Sequence, residues 1–141
     1  MAIRQLSIFV ENKQGSLHEI TDSLAKANIN LRSMCVADTS NYGIVRIIAD
    51  DPEGAKELLD KDGQAANVRL VNAFAVPDQP GGLAKVLNLL EGNGVNIDYM
   101  YALITSESGK AYSVMRTGDT EETDRILTEN GIELLDESKL H

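Results

Sequence analysis

The feature that most constrains the fold of this chain is an internal repeat. Residues 9–31 read FVENKQGSLHEITDSLAKANINL, and residues 75–97 read AVPDQPGGLAKVLNLLEGNGVNI. The matches share one offset of 66 residues (81 − 15): Gly15 with Gly81, Leu17 with Leu83, Ile20 with Val86, Leu24 with Leu90, Ile29 with Val95 and Asn30 with Asn96. A fixed period indicates a duplicated supersecondary unit, so a site built by one copy has a counterpart in the other.

Each copy predicts the same order of elements. In the first copy, strand-like alternation over residues 3–10 precedes a helix to about residue 27, and two further strands meet at the turn Asp38-Thr39-Ser40-Asn41. Asp51-Pro52-Glu53 then has the composition of a helix start. The second copy predicts strands at about 95–105 and 111–116 around Ser106-Glu107-Ser108-Gly109, a helix from near Asp119, and a short strand at 132–135. One long strand, residues 68–76, joins the copies.

The order βαββαβ, present twice, predicts an α+β fold. We expect two ferredoxin-like units packed together, each an antiparallel sheet with its helices on one face. The expected domains are residues 1–71 and 72–141, and no glycine- or serine-rich linker separates them. Fold alone does not name a function, because this scaffold carries many unrelated ones.

Composition excludes several classes of function. The chain has 141 residues and a formal charge of −9, with no concentrated basic stripe in either half, so neither nucleic acid nor an anionic membrane is expected as a partner. No apolar run reaches the length of a membrane-spanning helix, and a secretory leader is not expected. Cys35 is the single cysteine and fits a reducing compartment. We therefore expect a cytoplasmic protein.

The turn between the first strand and first helix of each copy is the candidate ligand site. Gly81 and Gly82 lack Cβ atoms, so a ligand can approach the backbone, and they stand where a helix begins. The first N–H groups of a helix have no intrahelical partner and lie at the positive end of its dipole, which suits a carboxylate. Gly15-Ser16 is the equivalent in the first copy. Such turns are also common as simple corners, and that alternative stays open.

Other residues give weaker signals. Asn96 offers an amide donor and acceptor for an ammonium or amide group, although Asn30 and Asn96 also suit a plain turn. The acids at Asp50-Asp51 and 119–122 are interpreted as helix starts rather than metal ligands. With His18 the only internal histidine, neither a catalytic triad nor a metal cluster can be assembled within one chain. No metal, cofactor or catalytic residue is therefore predicted.

The second turn carries a family resemblance. The stretch VPDQPGGLAKVLNLLEGNGVNID, residues 76–98, resembles an ACT domain, a small amino-acid-sensing module, whose pattern is an apolar strand, Asp-x-Pro-Gly, a helix-starting Leu and a Gly-Ile-Asn-Ile-like strand entry. Residues 10–31 match less closely, with Asn12 for Asp78, Gln14 for Pro80 and Asn28 for Gly94. The resemblance therefore covers essentially the whole chain.

The resemblance implies where a ligand binds. It places the pocket between ACT units, with the glycine turn of one facing the second strand of another. The second copy is favoured, because its turn is the closer match. The implied ligand-binding residues, taken from both copies, are Asn12, Gly15, Ser16, Leu17, Asn30, Asp78, Gly81, Gly82, Leu83, Asn96 and Ile97.

From these observations we expect a non-enzymatic regulatory protein that binds a free amino acid. A homodimer is expected, and an enzyme of amino-acid metabolism is the expected protein partner. One alternative is an adaptor or regulatory subunit of a separate enzyme, with purely structural glycine turns. A ferredoxin-like enzyme is the third interpretation, and it would need a site shared between chains.

Overall fold

A computed structural model describes residues 2–38, 40–104 and 107–140 of the chain. Two compact units are formed mainly by Arg4–Arg69, the first unit, and by Leu70–Lys139, the second unit. The two predicted turns at 38–41 and 106–109 lie partly outside the described residues, at Thr39 and Ser106.

The first unit begins with strand β1 (Ile3–Glu11), helix α1 (Ser16–Lys26) and the hairpin β2 (Leu31–Asp38) and β3 (Tyr42–Ala49). Helix α2 (Pro52–Lys61) leads into strand β4 (Ala66–Pro77). Strands β1 and β2 each pair antiparallel with β3, which places Val10 opposite Gly43 and Val36 opposite Val45. The predicted long strand that joins the copies is confirmed, since β4 continues from the first unit into the second.

One aliphatic core holds the first unit together. Side chains from β1 and β3 that point to the same face of the sheet pack with α1 and α2 in a single buried cluster: Leu6, Ile8, Val10, Ile20, Leu24, Val45, Ile47, Ala49, Ala55, Leu59 and Ala66. Both helices therefore cover one face of the sheet, as predicted. Burying each of the larger aliphatic side chains stabilises the fold by about 1.5–3 kcal/mol.

The second unit repeats this arrangement. After β4 come helix α3 (Gly82–Gly92), strands β5 (Ile97–Ala102) and β6 (Lys110–Thr117), helix α4 (Thr120–Glu129) and the short strand β7 (Glu133–Leu134). Strand β6 pairs antiparallel with β4 and with β5, and β7 pairs antiparallel with β4. A 3₁₀ turn at Glu137–Leu140, which the sequence pattern did not predict, follows β7.

Both copies have the same left-handed backbone after their first helix. Asn28 has φ 59° where Gly94 of the second copy has φ 72°. Asparagine is one of the few residues with a side chain that tolerates this conformation. The replacement of Gly94 by Asn28 therefore preserves the turn that ends the helix.

The cores of the two units differ in one layer. In the second unit the buried Asn72 Nδ2 donates to Asp124 Oδ1 at 2.6 Å, and Thr117 Oγ1 lies 3.1 Å from Asn72 Oδ1 and 2.9 Å from Thr123 Oγ1. Matching the two repeats places Leu6, Ala49 and Ala55 of the first core where Asn72, Thr117 and Thr123 stand. The second unit thus contains a buried polar network where the first unit is aliphatic.

Candidate functional site

Both glycine turns have the same backbone conformation. Gly15, between β1 and α1, has φ 89° and ψ −10°, and Gly81, between β4 and α3, has φ 85° and ψ −7°. Residues with a side chain rarely adopt this left-handed conformation, so glycine meets a steric requirement at both positions. A Cβ built on either residue meets no heavy atom within 4 Å. Apart from the two chain neighbours of each glycine, no described residue therefore comes within 4 Å of this position.

Helices α2 and α4 have side-chain caps at their N-termini, but the two helices that begin at the glycine turns do not. The Asp51 carboxylate accepts the N–H of Gly54 at 3.0 Å at the start of α2, and Asp119 accepts the N–H of Glu122 at 3.0 Å at the start of α4. Helices α1 and α3 have no side-chain cap. Within the described part of the chain, no hydrogen-bond acceptor is found for the N–H groups of Leu17 and Leu83. These N–H groups are suited to an external anion.

A cavity of about 250 Å³ borders the first glycine turn. The turn and the start of α1 contribute polar and apolar side chains, and the ends of β1, β2 and β3 complete the wall: Val10, Glu11, Asn12, Lys13, Ser16, Leu17, Val36 and Gly43. Three of the eleven predicted ligand-binding residues, Asn12, Ser16 and Leu17, thus line one cavity, and Gly15 lies directly before Ser16. All of these residues belong to the first unit.

Opposite charges meet at the rim of this cavity. Lys13 Nζ lies 3.3 Å from Glu11 Oε2, and both side chains are more than half exposed. An ion pair this exposed contributes little to stability, so it can open at low cost when another charged group arrives. A second cavity of about 270 Å³ shares Val10, Glu11, Lys13 and Ser16 with the first and extends towards Tyr42 and Gln64.

The second turn is packed more tightly against its own strand. A Cβ on Gly82 would lie 2.3 Å from the Pro77 carbonyl oxygen, so a side chain there requires the backbone to move. The N–H of Asp78 donates to the Gly109 carbonyl at 3.0 Å, and Leu83 is 38% exposed, the same fraction as Leu17. The predicted residues Asp78, Gly81, Gly82 and Leu83 therefore lie together at one turn.

The predicted asparagines lie at the entries of β2 and β5 and have local partners. The backbone N–H of Asn30 donates to Asp50 Oδ1 at 3.0 Å, and its carbonyl accepts the N–H of Asp50 at 3.0 Å. Asn96 Nδ2 donates to Asp98 Oδ1 at 3.1 Å and lines a separate cavity of about 380 Å³ near the start of α4. Ile97 begins β5 and packs, partly buried, against the core of the second unit.

The sequence pattern did not single out five residues that line the cavity at the first turn: Val10, Glu11, Lys13, Val36 and Gly43. The sequence contained one signal for Glu11 and Lys13. Both are charged and flank Asn12, whereas the uncharged Pro77 and Gln79 stand at the equivalent positions of the second copy. Gly43 and Val36 reach the cavity only through the pairing of β1, β3 and β2. No sequence signal places them beside the turn.

Two further observations concern the described residues, 2–38, 40–104 and 107–140. Among them, no group of three or more His, Cys, Asp and Glu side chains is arranged to hold a metal ion. None of the helices in this part of the chain has the length and apolar character needed to span a bilayer.

Comparison with known proteins agrees with this architecture. The profile of the family described as an ACT domain pair matches residues 1–141. Protein BT0572 from Bacteroides thetaiotaomicron, a solved structure, is 41% identical over 99% of this chain and 96% of its own, with a TM-score of 0.93. No curated protein sequence matches the chain.

More distant structures share the fold. The ligand-free regulatory subunit of aspartate kinase from Thermus thermophilus is 14% identical, with a TM-score of 0.68 over 91% of this chain and 92% of its own. The corresponding subunit from Thermus flavus is 15% identical, with a TM-score of 0.62 over 89% and 90%. The architecture is thus that of a tandem ferredoxin-like fold. The chain belongs to the ACT domain family, as an ACT domain pair.

Proposed function

We propose that this protein is a non-catalytic regulatory protein that binds a free amino acid at its first glycine turn. The observation that carries the proposal is the N–H of Leu17, which has no acceptor among the described residues, at the start of α1 beside a cavity of about 250 Å³. A helix N-terminus with free N–H groups favours a carboxylate, which every amino acid has. Membership of the ACT domain family supports an amino acid as the ligand.

The predicted residues of the second turn stay part of the proposal. Gly81, Gly82 and Leu83 have the same backbone arrangement as Gly15, Ser16 and Leu17, and Asp78 precedes them. Asn30, Asn96 and Ile97 are likewise kept as predicted ligand-binding residues. Their role depends on whether a second molecule of ligand binds per chain.

The proposed mechanism is regulation of a partner enzyme of amino-acid metabolism by a homodimer of this chain. Two proteins of the same fold are, by name, regulatory subunits of aspartate kinase, and this analogy supports an enzyme partner. A ligand regulates only if its affinity differs between two states of the protein. A cytoplasmic location is part of the proposal, and the single cysteine is consistent with it.

The proposal is tested by measuring the melting temperature of the full chain with each of the twenty amino acids. A ligand at 100 times its dissociation constant adds about 2.7 kcal/mol to the free energy of unfolding, so a true ligand raises the melting temperature visibly. We expect at least one amino acid to do so. If none does, amino-acid binding is refuted and the adaptor without a ligand becomes the better interpretation.

The Gly15→Asn variant then assigns the site. Asparagine tolerates the left-handed conformation, as Asn28 shows in this chain, so the variant adds bulk beside the turn at little backbone cost. We expect its affinity for the amino acid to fall at least tenfold. Gly131→Asn is the matched control, because Gly131 has φ 74° and an equally open Cβ position, and it should bind as the parent does. The affinity of the Gly81→Asn variant for the amino acid tests separately whether the second turn takes part in binding.

A further inference from the structure

One residue that lines the cavity at the first turn, Gly43, has no side chain. Gly43 lies opposite Val10 in the antiparallel pair of β1 and β3, and its counterpart in the second unit is Ala111, opposite Val76. A Cβ on Gly43 would lie 3.6 Å from the Ala37 carbonyl oxygen and 3.7 Å from Val10 Cγ2 and Val36 Cγ1, which are ordinary contact distances. Glycine at this position therefore leaves a methyl-sized space between two valines that an alanine would fill without strain.

Three of the side chains that line this cavity are aliphatic. Val10 is 7% exposed, while Leu17 and Val36 are 38% and 45% exposed and form the open side of the cavity. The counterpart of Val36 in the second unit is the smaller Ala102. Partly exposed apolar side chains around a cavity favour an apolar ligand group, and they disfavour a charged one that would lose its hydration.

The rim of the same cavity offers both charges. Glu11 and Lys13 stand on either side of Asn12, and their ion pair is exposed. The Glu11 carboxylate suits an α-ammonium group. Lys13 and the N–H of Leu17, for which the described residues offer no acceptor, suit an α-carboxylate. The second turn has Pro77, Asp78 and Gln79 in these three positions, and none of them is a cation. The first turn thus presents both charges of a zwitterion within three consecutive residues.

We infer that the first glycine turn binds a small aliphatic α-amino acid, and that Gly43 determines this specificity by leaving room for the aliphatic side chain. The inference rests on the proposed function and names the class of ligand for the same site. The α-carboxylate lies at the start of α1, the α-ammonium group lies by Glu11, and the side chain lies between Val10, Leu17 and Val36.

Isothermal titration calorimetry of the full chain with valine, isoleucine, aspartate, lysine and phenylalanine tests the ligand class. We expect valine and isoleucine to bind at least tenfold more tightly than the other three. Preferred binding of aspartate, lysine or phenylalanine would overturn this inference while leaving the proposed function in place. No binding of any amino acid in the wider panel of twenty would overturn both.

The Gly43→Ala variant tests the role of the missing side chain. The added methyl group makes ordinary contacts, so the variant is expected to fold, and circular dichroism checks this. Its affinity for valine should fall at least tenfold, because the methyl group occupies the space that the ligand needs. Gly92→Ala is the matched control, since a Cβ there meets no atom within 4 Å, and it should bind valine as the parent does. Unchanged valine affinity in Gly43→Ala would refute the role of Gly43.

A second variant keeps the test independent of Gly43. Val36→Ala reproduces the Ala102 of the second unit and removes apolar wall without adding bulk. We expect the affinity for isoleucine to fall several-fold and the weaker affinity for aspartate to stay as it is in the parent. Isoleucine binding that does not depend on Val36 would show that the aliphatic group lies elsewhere, which contradicts the inference.

Discussion

Two adjacent glycines at the second turn are required for different reasons. Gly81 has a left-handed backbone with open space beside it, so its requirement is conformational. Gly82 has an ordinary helical conformation, but a Cβ would lie 2.3 Å from the Pro77 carbonyl oxygen. Its requirement is close packing of the helix start against the strand. Ser16 takes the place of Gly82 in the first copy, which shows that the first turn is less tightly closed.

This difference predicts the effect of Gly82→Ala. The methyl group forces the turn away from the Pro77 carbonyl, so we expect the free energy of unfolding to fall by about 1–3 kcal/mol. Gly92→Ala is the matched control on the same helix, because its Cβ meets nothing within 4 Å. It should be neutral or stabilise the protein by up to about 1 kcal/mol. Urea unfolding measures both, and equal midpoints for the two variants would contradict the packing argument.

The sequence pattern was informative at single positions where local chemistry dominates. Asp51 and Asp119 were interpreted as helix starts from the residues beside them, and both cap their helices as predicted. Gly15 and Gly81 were singled out by the repeat, and both have the left-handed backbone. Gly43 and Val36 could not be found in this way, because their closeness to the turn depends on strand pairing between distant segments.

Helices α2 and α4 differ in one layer of their contact with the sheet. Helix α2 packs through Ala55 and Leu59 in an aliphatic core. Helix α4 packs through Ile126 and Leu127 in the core of the second unit and also contributes Thr123 and Asp124 to the buried network around Asn72. Buried polar groups are costly unless all of them are hydrogen-bonded. Helix α4 therefore depends on a set of hydrogen bonds that has no counterpart at α2.

The dependence of α4 on these hydrogen bonds predicts the effect of Asn72→Leu. Leucine is the residue at the equivalent position of the first unit, Leu6, but we expect it to destabilise the second unit. The variant removes the amide that donates to Asp124 and accepts from Thr117, so we expect a loss of about 1–3 kcal/mol in the free energy of unfolding. The double variant Asn72→Leu with Asp124→Leu should recover part of this loss, because the buried carboxylate is removed as well. Chemical denaturation measures both. A single variant as stable as the parent would show that the network contributes nothing.

The edges of the sheet matter at the scale of the whole molecule. Within the described residues of the first unit, β2 pairs with β3 on one side only, and Met34 on β2 is 39% exposed. Strand edges with apolar side chains are surfaces on which a second chain can add a strand. This geometry supports the homodimer that we propose, with β2 as the contact.

Sedimentation velocity of the Met34→Lys variant tests this dimer. A lysine on an edge strand opposes strand addition, so we expect the parent to sediment as a dimer and the variant to sediment as a monomer. Val68→Lys is the matched control, because Val68 is also 39% exposed but lies on β4, and it should stay dimeric. A monomeric parent would refute the homodimer, and a dimeric Met34→Lys would remove β2 from the interface.

The amino-acid sequence was sufficient to predict the duplicated βαββαβ order, the joining strand, the helix starts and the two glycine turns. All of these depend on local periodicity and on the backbone preferences of single residues, which the internal repeat displays twice. The residues that surround the first turn, and the polar layer in the second core, became evident only in the folded chain. Cavities and cores are formed by residues from separate strands and helices, and their contacts are set by register and packing, which no local pattern encodes.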